Sequence, residues 1–136
     1  MPNAIATVSL LVADYDEAIA FYTGALGFRL VANTDLGGGR RWVVVAPLGS
    51  GGGRLLLARA DDEHQISRIG DQTGGRVFLF LETDNFARDH ELFIQNGVRF
   101  LEEPRHEPYG TVAVFEDLYG NRWDLIQPTS PPDAAG

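Results

Sequence analysis

The sequence predicts an α+β fold built from two tandem β-α-β-β-β modules, and three observations predict it. First, an apolar run, an Asp and a helical pattern closed by Gly occur twice, at Asp14 and Gly27 and again at Asp84 and Gly97, each pair 70 residues apart (84 − 14 and 97 − 27). Second, three strand-like runs follow each helical pattern. Third, the 136 residues are 44% hydrophobic, the size and apolar content of one ordinary domain. Self-similarity at a fixed spacing marks a repeated structural unit.

The elements follow in order. Ile5 to Val12 is β-branched and apolar, a buried strand. Asp14 caps a helix in which Ala18, Phe21, Tyr22 and Leu26 form one stripe, and Gly27 ends it. "FRLVANTD", "RRWVVVAPL" and "RLLLARA" are strands separated by Gly-rich turns. In the second copy "RVFLFLET" is the strand and Asp84 the cap. "NFARDHELFIQN" is the helix, with Phe86, Leu92 and Phe93 toward the core, followed by strands "VRFLEEP", "TVAVFED" and "NRWDLIQ". The expected division is one domain over 1–136: module one about 4–60, a linker 61–75, module two about 76–128 and a loose tail 129–136. One module is too small to bury its own faces. Two modules side by side make an open, curved eight-stranded mixed sheet with helices outside and a concave inner face, a common site for small molecules.

Composition removes several classes of function. A net charge of −8 repels phosphate backbones, so no nucleic-acid partner is expected. No apolar run nears the roughly 20 residues that cross a bilayer, so no membrane partner is expected, and the N-terminal stretch lacks the basic region of a signal peptide. The absence of cysteine excludes disulfides, thiolate metal sites and a Cys nucleophile. A cytoplasmic location is expected. "LGGGRRW" opens no helix and is no phosphate loop, and no G-x-S-x-G is present.

Two stretches, "VADYDEAIAFYTGALGF" and "FEDLYGNRWDLIQP", resemble the vicinal oxygen chelate superfamily of glyoxalase I, bleomycin-resistance proteins and extradiol dioxygenases, over Ala4 to Gln127. The resemblance implies a divalent metal held by four residues, one from the first and one from the last strand of each module. At those positions stand Thr7, Val77, one of Leu55, Leu56 and Leu57, and Asp124. One carboxylate among four does not hold a divalent ion, so the expectation is no metal and no cofactor. The resemblance also implies a homodimer.

Strand alternation then selects the inner face. Thr7 brings Ser9 to the same side, Val77 brings Leu79, and Asp124 shares its side with Arg122, so it reads either as a polar contact in an apolar cleft or as half of an ion pair with Arg122. Val8, Leu10, Phe78 and Phe80 would lie beneath the helices. Trp42 and Tyr109 open corresponding strands at the rim. The expected ligand-binding set is Thr7, Ser9, Trp42, Leu56, Val77, Leu79, Tyr109, Arg122 and Asp124, around a small cationic or aromatic ligand. Of the histidines, His64 and His90 read as solvated. His106, in the loop "EEPRHEPYG", is with Asp124 a candidate catalytic base. The leading expectation is a metal-independent small-molecule-binding protein. The alternative is a glyoxalase-I-like lyase or isomerase, or a ring-cleaving dioxygenase, needing a divalent metal.

Overall fold

The structure is a computed structural model that describes residues 2–49 and 51–129. Most of the tail expected to be loose therefore lies outside the described residues. The chain forms two compact units, Met1–Gln72 and Thr73–Gly136. In the first, β1 (Thr7–Val12) leads to α1 (Tyr15–Ala20), which runs on as a π-helical turn at Phe21–Ala25; β2 (Arg29–Gly37), β3 (Arg40–Ala46), β4 (Arg54–Arg59) and α2 (Glu63–Ser67) follow. The second holds β5 (Val77–Glu82), α3 (Phe86–Gln95), β6 (Arg99–Phe100), β7 (Arg105–Glu107), β8 (Gly110–Glu116) and β9 (Arg122–Pro128).

Both units repeat the expected β-α-β-β-β plan, and the α+β class holds. The hydrogen-bonded order is β1-β4-β3-β2 in one sheet and β5-β9-β8-β6 in the other, with β7 paired to β8. The first and last strands of each unit run parallel, and the other ladders are antiparallel. Backbone pairing thus divides the strands into a four-stranded and a five-stranded sheet. The extra strand is β7, in the stretch expected to be a loop. It pairs Arg105 with Val112 and Glu107 with Gly110. Gly110 has φ +156°, and a Cβ there would collide with the Gln127 carbonyl oxygen on β9, so the close approach of these strands requires glycine.

The even spacing of 70 hides two one-residue shifts that cancel. Asp14 caps α1 by accepting the Glu17 N–H at 2.8 Å. Asp84 is not the cap of α3. Asn85 is, accepting the Arg88 N–H at 3.1 Å, while Asp84 pairs with the Arg88 guanidinium at 2.9 Å. The first unit recovers the residue in its π turn. Leu26 N–H donates to Phe21 and Phe28 N–H to Tyr22, whereas α3 closes more tightly, Gly97 N–H to Ile94 and Val98 N–H to Phe93. Structurally, Tyr15 matches Phe86 and Tyr22 matches Phe93, an offset of 71 (86 − 15 and 93 − 22), and all four rings are buried.

Each core lies between its sheet and its helix. In the first unit Leu10, Val12, Leu57, Val43 and Val45 are fully buried with Ala18 and Tyr22. In the second, Phe115 stacks on Trp123 at 5.8 Å and meets Phe93 of α3 edge-on at 5.5 Å. Leu92, expected in the core, is exposed. His90, expected to be solvated, stacks on Phe86 at 5.2 Å and lies 4.4 Å from Phe100. Of the expected linker, residues 61–72 fall in the first unit and 73–75 in the second; the Gln72 side chain accepts the Leu11 N–H at 3.1 Å along β1.

Candidate functional site

The turn Asp117–Asn121 sets the start of β9. The buried Asp117 carboxylate accepts the N–H groups of Tyr119 and Asn121, both at 3.0 Å, on Oδ1. On Oδ2 it accepts Asn121 Nδ2 at 3.0 Å and Trp123 Nε1 at 3.3 Å. The indole is thereby fixed against Phe115 on the helix side. Alternation then sends Asp124 to the opposite side, with Arg122 and Ile126.

Asp124 is aligned with Phe80 on β5 and Val114 on β8. It is 9% exposed. Its Oδ1 is, among the described residues, the buried side-chain polar atom that lacks a hydrogen-bond partner. Leaving such an atom unpaired costs about 1–3 kcal/mol. Burial pushes the Asp124 carboxyl above the usual carboxylate range; the charge of Arg105 pulls it down and that of Glu102 pushes it further up.

Glu102 and Arg105 are fixed beside it. Glu102 Oε2 accepts the Val114 N–H at 3.0 Å, taking a place in the ladder where β6 has ended. Both Glu102 oxygens accept Arg105 Nε, at 3.1 and 3.0 Å, and Arg105 also reaches Glu107 at 3.4 Å. The bonds to Glu102, with one to Tyr109, hold the Arg105 guanidinium firmly charged. Arg105 is aligned with Val112, and Val112 with Ile126, so it shares the face of Asp124.

The expected site residues divide as follows. In the first unit Thr7 is aligned with Arg54, Ser9 with Leu56, and Leu56 with Val44, two residues from Trp42. Thr7, Ser9, Leu56 and Trp42 therefore share the sheet face away from the core. In the second unit Val77 is aligned with Arg122, on the Asp124 face. Leu79 is not on that face: it is aligned with Trp123. A bulge between Val77 and Leu79 shifts the phase, and Phe80, expected under the helix, stands beside Asp124 and is 65% exposed.

His106 is aligned with Thr111, its Nδ1 3.3 Å from Thr111 Oγ1, and Thr111 with Gln127, whose side chain caps the Phe86 N–H. It lies on the opposite face from Asp124, so the two do not form one catalytic pair. Arg122 forms no ion pair with Asp124 among the described residues; the nearby cation is Arg105.

Sequence reasoning missed Phe80, Glu102 and Arg105. The string "LEEPRHE" carried the signal for the last two: alternating charges three apart, at the end of a strand too short to continue.

The residues present do not suit a divalent ion. Asp124 faces Phe80 and Val114, and no cluster of three or more His, Asp or Glu side chains converges among the described residues.

Comparison with known proteins decides the family. Residues 4–125 match the glyoxalase/bleomycin resistance protein/dioxygenase superfamily. The chain belongs to that superfamily. An uncharacterized protein of Shewanella frigidimarina is 53% identical, covering 93% of this chain and 95% of its own. Among solved structures, UcmS2 superposes with a TM-score of 0.80 at 32% identity, covering 93% of this chain and 98% of that one. TnmS3, an antibiotic binding protein from Streptomyces sp. CB03234, gives 0.75 at 29% identity, covering 94% and 98%. Among the described residues no helix is long and apolar enough to cross a membrane.

Proposed function

We propose that this superfamily member binds a small organic molecule without a metal, using the Asp124 face of its second unit as the anchor. The observation that carries this reading is the buried, unpartnered Oδ1 of Asp124. It sits beside the exposed ring of Phe80, with the exposed Tyr109 held against Arg105. Apolar and aromatic surface with a few fixed polar groups is the usual make-up of a ligand site. The likeness to an antibiotic binding protein supports the same direction. The ligand is an aromatic or cationic molecule of antibiotic size, the protein acts as a cytoplasmic homodimer, and it works by sequestration rather than turnover.

Calorimetric titration with a panel of aromatic antibiotics tests this. Binding is expected for the wild type, and Phe80→Ala and Asp124→Ala should each weaken it by about tenfold or more, the value of roughly 1.4 kcal/mol. Affinities unchanged in both variants would remove this face from the site. Metal analysis after dialysis is the second arm. A stoichiometric divalent ion would replace this reading with a metal-dependent one.

A further inference from the structure

We propose that Asp124 is a proton-exchange site: it keeps a proton while the site is empty and gives it up when the ammonium group of an aromatic amine takes its place at Oδ1. This rests on the binding reading above. The geometry is a carboxyl nine-tenths buried, with one oxygen unpartnered, and an aromatic ring aligned beside it at Phe80.

The surrounding charges define which ligand fits. On this face β9 contributes Arg122, β5 Glu82, β8 Glu116, β6 Arg99, and β7 Arg105 and Glu107, with Glu102 from the segment between β6 and β7. Two of the three cations are committed: Arg99 lies 3.5 Å from Glu116, and Arg105 is bound by Glu102 and Glu107; Arg122 is aligned with Glu116 and forms no ion pair with Asp124 among the described residues. Four glutamates face three arginines before Asp124 is counted. An ionised Asp124 adds a further negative charge in a buried position. A proton or a ligand cation relieves it, and an anionic ligand does neither. Glu102 is held by a backbone N–H and by Arg105, so its charge does not move away. The exchange balances simply: the carboxylic acid and the ammonium ion give a carboxylate–ammonium pair and one free proton.

The test uses 1-naphthylmethylamine and its uncharged counterpart 1-naphthalenemethanol, titrated from pH 4 to pH 8. The amine should bind more tightly as pH rises, approaching tenfold per pH unit below the Asp124 titration and levelling above it. Titration in buffers of different ionisation heat should show about one proton released at the acid end. Asp124→Asn should flatten the profile. Glu102→Gln should move it to lower pH, which loss of a merely structural contact would not do. A pH-independent affinity for the amine, or no amine binding at any pH, overturns the proposal. Binding of the alcohol alone overturns it too, but leaves the binding function standing; binding of neither naphthyl probe nor any antibiotic of the panel removes both. A ligand-free arm is the carbon NMR titration of the Asp124 carboxyl. A midpoint in the ordinary aspartate range also overturns the exchange.

Discussion

The two units put different chemistry on the same rung. In the first, Ser9, Leu56 and Val44 stand side by side on β1, β4 and β3. In the second, the corresponding rung on β5, β9 and β8 is Phe80, Asp124 and Val114. Leu56 fits an apolar neighbour and needs no partner. Asp124 needs one and has none at Oδ1. The first unit satisfies its charges elsewhere: Arg41 binds Asp16 and Asn33 at 3.0 Å, and Arg41 and Arg59 lie 5.0 and 5.3 Å from the Tyr15 ring. Among the described residues, the second unit presents an unsatisfied polar atom on this rung and the first does not.

The comparison breaks most completely if the second unit loses the turn that aims β9. Asp117→Ala strands the buried indole N–H of Trp123 and the Asn121 amide. It should destabilise by about 3 kcal/mol, read as a shifted denaturation midpoint. A loss below about 1 kcal/mol would mean that β9 is placed by packing alone.

Next in size is the conversion of one rung into the other. Asp124→Leu copies Leu56 into the second unit. It should stabilise the protein by about 1–2 kcal/mol at neutral pH while weakening ligand binding by at least tenfold. The pH dependence has a definite sign. The folded Asp124 carboxyl binds its proton more tightly than the unfolded one, so its protonation favours the fold. That stability is fully present below the unfolded value of about 3.9 and is lost as pH rises through the folded value. The melting temperature of Asp124→Asn should therefore gain on the wild type as pH rises through this window. A parallel offset at every pH would place the carboxyl among normal ones.

The smallest effect concerns the helices. Gly24 lies in the π turn, with open space around a Cβ and without a left-handed φ. Gly24→Ala should stabilise by about 0.5–1 kcal/mol. A loss instead would show that the π turn needs glycine's freedom.

Much of this architecture could be read from the residues, because its signals are local. The apolar strands, the Asp14 cap and the terminal glycines at Gly27 and Gly97 each announce an element within a few positions. The site was harder because its geometry depends on phase. Plain alternation from Val77 puts Leu79 on the face that Phe80 occupies, and the bulge after Val77 breaks that alternation. The bulge in β5 adds one residue ahead of α3 and the π turn after α1 recovers it; the bulge reverses which β5 side chains face the site. Asp124 was found because it is an acid inside an apolar strand. Arg105 was missed because its strand is only three residues long and depends on pairing with β8.

Gly110 has a practical value for the binding experiments. Most glycines of this chain with positive φ have nothing near the position of a Cβ, but Gly110 faces the β9 backbone. Alanine there would push apart the two strands that carry Val114 and Asp124 while leaving the side chains of Phe80, Asp124 and Arg105 chemically unchanged. Gly110→Ala is thus a calibrator for fold loss. A variant that loses binding while its melting curve stays unlike that of Gly110→Ala has lost recognition chemistry, whereas one that follows the Gly110→Ala curve has lost the sheet.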